Sequence, residues 1–200
     1  MHKISIYGAS GHAKVVLDCI RSNSNFTLGY LFDDNPAVKE LQGIALSTAS
    51  QKKIEAYPLV ITIGNNKIRK KIADQLQSVI APPIIHQSAV ISTTSRLGDG
   101  SVVMPGVILN ADAQIGSHCI LNSGAVIEHD CKLANYVHIS PKAALAGNVR
   151  VGEGTQIGIG AQVIQGITIG KWCTIGAGAV IIKDVPDGAT VVGNPGRIIK

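Results

Sequence analysis

Aromatic side chains are scarce in this chain: two Phe, one Trp and four Tyr among 200 residues. Aromatics supply much of the buried area of an ordinary globular core. With 46% hydrophobic residues all the same, the core is expected to consist of small and β-branched side chains. The same scarcity argues against single-stranded nucleic acid as a partner, because such binding uses rings as stacking platforms. Charge is also sparse, at 16% of residues with a net value of +5. That mild basicity suits a ligand with several phosphates, and the densest basic stretch, Lys67 to Lys71, reads as a solvated helix face. The four cysteines form no CxxC pair. No apolar run approaches the length of a membrane span. The N-terminus opens on an apolar strand, without a basic-then-apolar leader. A cytoplasmic protein with reduced thiols is expected.

What is present in abundance is a period of six. Every sixth residue from Ile85 to Ile181 is Ile, Leu or Val, seventeen in succession without an insertion. Four residues after each lies a second column, from Ala89 to Val185, of small or β-branched residues. Cys119, Cys131 and Cys173 fall in this second column and read as small buried apolar residues. Six matches neither the helical period of 3.6 nor the strand period of two. It matches a short strand plus a turn, repeated, which stacks into a parallel β-helix. Each unit buries its aliphatic residue only against its neighbours.

The first 80 residues have another texture. Strands are expected at 3–7, 27–32 and 59–63, with helices at 13–21 and 68–76, which implies a small parallel α/β module. Gly8-Ala9-Ser10-Gly11-His12 forms a tight turn that opens a helix, a place where backbone N–H groups hold phosphate. Asp33-Asp34 follows about twenty residues later and is placed to reach a ribose or base. The dinucleotide fingerprint is incomplete, since Ser10 stands where its second glycine would be. Pro82-Pro83 marks the junction. The expected organisation is 1–80 as an α/β module, 85–185 as the β-helix and 186–200 as a C-terminal tail.

Among six histidines, His129 lies in Glu128-His129-Asp130, and an imidazole beside a carboxylate is a candidate general base. With eighteen residues per coil, Gly147 stacks directly above His129, and Ala177 above Ile159. His138 is half a coil from His129, so the two share a site only where two chains meet. A zinc site of the His-x4-His kind is not favoured, because no two histidines have that spacing.

The stretches Ile6 to His12, Leu31 to Asp34, Ile63 to Ile72, Val126 to His129, Ala146 to Val149 and Val192 to Pro195 together resemble the sugar O-acyltransferase family of sialic acid O-acetyltransferase type. Within it they are similar to the UDP-4-amino-sugar N-acetyltransferases of bacillosamine synthesis. The resemblance implies a Rossmann-like α/β module followed by a left-handed parallel β-helix of hexapeptide repeats, assembled as a homotrimer. It implies acetyl-CoA as cosubstrate with no permanently bound cofactor. The implied acceptor is a UDP-linked 4-amino sugar of the UDP-2-acetamido-4-amino-2,4,6-trideoxyglucose type. His129 would be the base and Asp130 the acid that raises its basicity, although neighbouring strand residues point to opposite faces unless a turn redirects one. His138, Gly147, Ile159 and Ala177 would contact acetyl-CoA. Ser10, Gly11, His12, Asp33, Asp34 and Gly64 would hold the nucleotide sugar. O-acetylation of sialic acid, another nucleotide-linked amino sugar, or a non-enzymatic nucleotide-sensing scaffold remain the alternatives.

Overall fold

The computed structural model describes residues 2–200 except 36, 38 and 77. In the N-terminal module, β1 (His2–Tyr7) lies between β2 (Phe26–Phe32) and β5 (Leu59–Ile61), all parallel. α1 (Gly11–Ser22) and α3 (Asn66–Gln75) follow β1 and β5. Each expected strand and helix is found within a few residues; α1 starts two residues early and takes in Gly11 and His12. A two-stranded hairpin, β3 (Glu40–Leu41) with β4 (Ile44–Ala45), and a one-turn helix, α2 (Gln51–Ile54), were not anticipated. Both are too short to leave a periodic hydrophobic signal.

From Ile84 the chain winds as a triangular prism of two-residue strands, and each strand pairs in parallel with the strand eighteen residues on. Three faces result. The first carries the strands from Val90–Ile91 to Val180–Ile181, the second those from Arg96–Leu97 to Thr168–Ile169, the third those from Ile84–Ile85 to Thr174–Ile175. The second residue of each strand points inward. From Val103 to Ile181 the whole aliphatic column is buried, together with the small column beside it. Two polar members of the small column are accommodated by hydrogen bonds. The Ser101 hydroxyl donates to Gly116 O (2.8 Å) and accepts from Cys119 N (2.9 Å), and Thr155 does the same with Gly170 O and Cys173 N. Residues 186–200 extend the third face: Thr190–Val192 pairs with Thr174–Ile175, and Arg197–Ile198 folds back antiparallel on it.

The outward residues of the third face explain how the two modules join. In register they read Ile84, Val102, Ile120, His138, Gln156, Thr174. The three apolar ones enter a single buried cluster with Ala13, Val16, Leu17 and Ile20 of α1 and with Ile4 and Ile6 of β1. His138 is the first polar position above that footprint. The apolar seam therefore ends where the polar chemistry of the face begins.

Removing a buried rung should show how far the stack depends on its column. Leu121→Ala, at a fully buried position, is expected to cost about 2–5 kcal/mol in chemical denaturation. Thr174→Ala, on the exposed side of the same face, should stay within about 0.5 kcal/mol.

Candidate active site

The corner between the first and second faces holds the first constellation. His129 and Asp130 lie in the turn after the strand Val126–Ile127. Turn after turn, the residue just before the small column has left-handed backbone. Gly124, Asp130, Tyr136, Lys142, Asn148 and Gly154 all have φ between 57° and 67°. At Asp130 this conformation (φ 62°) swings the carboxylate back toward its predecessor, and its Oδ2 lies 2.8 Å from His129 Nδ1. The turn thus supplies the redirection that an extended strand would have denied. With the carboxylate accepting at Nδ1, the proton sits there and the Nε2 lone pair is open. The hydrogen bond, then the charge of Asp130, hold the His129 pKa above its ordinary value. Both side chains are exposed.

Gly147 stacks on His129 one coil later, and Asn148 N donates to His129 O at 2.9 Å. A Cβ at Gly147 would lie 2.6 Å from both Cε1 and Nε2 of His129. Only glycine lets the imidazole lie where it does. The Gly147 N–H donates to no acceptor among the described residues, so it is available to an incoming group.

The second constellation lies at the junction of the modules. Gly8 (φ 107°) turns the chain out of β1, and Ala9 N donates to Asp33 Oδ2 at 2.6 Å. Asp33 Oδ1 accepts from Asn35 N at 2.7 Å, and the Tyr7 hydroxyl donates to Asp34. Burial first, then Asp34, push the Tyr7 pKa up. Asp33 and Asp34 therefore shape the shelf on which Ser10 and Gly11 begin α1. Nothing lies within 4 Å of a Cβ built on Gly11 or on Gly64. That leaves open space at the carboxyl ends of the parallel strands, where α/β sheets take their ligands.

His138 faces this shelf. Its Nε2 lies 3.1 Å from the Asn122 side-chain amide, whose oxygen already accepts from Ser123 N at 2.8 Å. Asn122 Nδ2 is thus the donor, and the His138 proton sits on Nδ1. Burial, then the Arg69 charge and His12, lower the His138 pKa to about 4, with the Gly64 backbone acting in the opposite sense. Burial and Arg69 likewise bring His12 to about 4. His138 Nδ1 and His12 Nε2 are both buried with no well-formed hydrogen bond, the Gly64 backbone lying near His138 without completing one. Such atoms are rare unless something else meets them. Asn122 was missed at the sequence level, and so was Arg69. Asn122 is legible only once coil register places Ile120 under His138 and Asn122 two residues further on.

The expected residues thus fall into three groups. His129, Asp130 and Gly147 share one corner. Ser10, Gly11, His12, Asp33, Asp34, Gly64 and His138 gather at the module junction. Ile159 and Ala177 stack on the corner between the third and first faces, where Gly178 N donates to Ile159 O at 2.8 Å; the Ile159 side chain is exposed. No helix among the described residues is long and apolar enough to cross a membrane.

These features define a class: a parallel β-helix of hexapeptide repeats with an α/β module, carrying an exposed carboxylate-oriented histidine beside a free backbone N–H. Comparison with known proteins narrows it. Residues 3–76 match the PglD N-terminal domain, and residues 94–129 and 148–183 match the bacterial transferase hexapeptide repeats. The solved GDP-perosamine N-acetyl transferase of Caulobacter crescentus, a histidine-to-alanine variant in complex with CoA and GDP-perosamine, is 36% identical. It superposes with a TM-score of 0.93 over 100% of this chain and 98% of that one. The acetyltransferase domain of PglB from Neisseria gonorrhoeae FA1090, in complex with acetyl coenzyme A, is 35% identical with a TM-score of 0.89 over 99% of both chains. UDP-N-acetylbacillosamine N-acetyltransferase of Bacillus subtilis (strain 168) is 40% identical over 116 residues, 52% of each chain. The matched region thus spans about half the length of that curated relative. The chain belongs to the family that joins a PglD N-terminal domain to transferase hexapeptide repeats, whose relatives named here are acetyltransferases.

Gly147→Ala should displace the imidazole and lower kcat/KM about 10²-fold, with the circular dichroism spectrum and melting transition kept. Asp130→Asn removes what holds the His129 pKa up. The acid limb of the pH–rate profile should therefore move to lower pH, while the plateau rate falls because the base is weaker.

Proposed function

We propose that the protein is an acetyl-CoA-dependent N-acetyltransferase acting on the 4-amino group of a UDP-linked amino sugar. The observation that carries this reading is the His129–Asp130 pair lying against Gly147. The neutral amine attacks the thioester carbonyl. His129 Nε2 takes the proton from the cationic tetrahedral adduct, and the Gly147 N–H donates to its oxyanion, an interaction of about 3 kcal/mol. The adduct collapses to the amide and CoA thiolate, and the thiolate is then protonated. No covalent enzyme intermediate is needed, which agrees with four buried free cysteines. The junction shelf takes the nucleotide sugar, with Ser10, Gly11 and Gly64 near the phosphates, His12 near the sugar, and His138 where the sugar meets acetyl-CoA. His138, Gly147, Ile159 and Ala177 line the path of acetyl-CoA. The UDP reading follows the Bacillus relative. A GDP-linked amino sugar is the second reading, favoured by the full-length likeness to a protein solved with GDP-perosamine.

The working form in this proposal is a homotrimer. The outward residues of the first face are Val90, Ile108, Val126, Ala144, Gln162 and Val180, and Val90 and Ile108 are exposed. An apolar stripe of this kind suits contact with further copies. Three copies with this face toward a common axis bring the His129 corner of one against the Ile159–Ala177 corner of the next. A cytoplasmic setting, with reduced thiols and acetyl-CoA at hand, accords with the reading.

CoA thiol release is the test, with acetyl-CoA and either UDP-2-acetamido-4-amino-2,4,6-trideoxyglucose or GDP-perosamine. Wild type should turn over one of them, and His129→Ala should lower kcat by about 10²–10⁴-fold. Folded wild type that is silent with both acceptors would refute the reading.

A further inference from the structure

Arg69, on α3, is a cation at 0% exposure and heads the fully buried side chains by size. It takes part in none of the ion pairs among the described residues. Its five N–H donors are all used, and every acceptor is neutral. Nε donates to His118 O (2.9 Å). Nη1 donates to Ile63 O (2.8 Å) and Gly64 O (3.3 Å). Nη2 donates to Asn66 Oδ1 (2.7 Å) and Tyr136 O (2.9 Å). A buried charge without a counter-ion is costly, and an apolar chain of similar size would often serve stability better. Stability alone is thus a poor reason for an arginine here.

The acceptors show what it does. Ile63, Gly64 and Asn66 belong to the N-terminal module, whereas His118 and Tyr136 belong to turns of the β-helix. Asn66 adds a second tie by donating from Nδ2 to Gly154 O at 3.0 Å. The fork geometry of a guanidinium suits this many-acceptor junction, and an ammonium does not. The loop so fixed carries Gly64, whose backbone faces His138.

We propose that Arg69 is a positioning residue of the acceptor cleft, bolting the Gly64 loop to the β-helix at the spacing in which the Gly8–His12 turn, Gly64 and His138 hold one nucleotide-linked sugar. The proposal rests on the acceptor reading given above. A second consequence follows from its charge. Arg69 is the charged group acting on His12, and Arg69 with His12 acts on His138. His118, stacked on Tyr136, also has a lowered pKa from burial and Arg69, opposed by Asp74 and Asp99. Cys119 and Tyr136 face Arg69 itself and favour its charged form. Burial first, and the Arg69 charge with it, keep the two cleft histidines neutral at physiological pH, each with one donor and one acceptor nitrogen.

The test uses the full chain with Arg69→Lys, Arg69→Met and Asn66→Ala. Binding of UDP and of GDP is measured by calorimetry, turnover by thiol release, and ring titration of His12 and His138 by NMR. Arg69→Lys is expected to weaken nucleotide binding and raise acceptor KM by about tenfold or more, while the KM for acetyl-CoA changes by less than about twofold. In Arg69→Met both rings should titrate closer to the ordinary 6.5, making acceptor binding pH-dependent in the acid range. If Arg69→Met does not fold, Arg69→Lys and Asn66→Ala carry the test. Folded variants with unchanged nucleotide affinity and unchanged acceptor KM overturn the proposal, even if the titrations move. A wild type that binds UDP or GDP but acetylates no amino sugar refutes the acceptor reading, and the nucleotide affinities of the variants still decide the role of Arg69.

Discussion

Everything here depends on one constraint: each coil must bury its aliphatic residues against the next. A two-residue strand has no stability of its own, and a single coil would leave half its column in water. Stacking forces a register of eighteen residues, and that register is unusually strict. It places Gly147 over His129, His138 over Ile120, and Ala177 over Ile159. A site on such a scaffold is precise because a slip in position would break a column of buried aliphatic side chains.

The two groups of histidines are set to opposite electrostatic states by their surroundings. His129 is exposed and paired with Asp130, which favours its protonated form and so makes it a stronger base. His12 and His138 are half-buried, each with a sealed ring nitrogen, beside an arginine that has no counter-ion, and this burial and that charge favour their neutral forms. In the proposed trimer, where the two groups would meet, separating titratable groups in this way would assign the base to one residue and hydrogen bonding to others.

The β-helix was legible because its period is carried by side chains that must be buried, from Ile85 to Ile181 without exception. The α/β module was legible from its strand and helix periods and from the Gly8–His12 turn. The contact between His129 and Asp130 was not, because it depends on a backbone angle. A signal existed: the column that includes Gly124, Asp130, Asn148 and Gly154 is rich in the residues that tolerate positive φ. Arg69 was hidden for a different reason. In sequence it sits in a run of cations, Lys67 to Lys71, that reads as a solvated face, and its neighbours there are indeed exposed or half-buried while it alone is sealed. Burial within such a run is decided by tertiary packing, which a local pattern does not record.

The central claim is that catalysis joins the His129 corner of one chain to the His138 face of another. Co-assembly of His129→Ala chains with His138→Ala chains tests it most directly. Each variant alone should be nearly inactive. On the proposed trimer, random 1:1 mixing after dissociation should restore about a quarter of the wild-type sites, since each intact site draws its corner and its face from different chains. Recovery near that level would establish the shared site. A mixture no more active than its parents would contradict it.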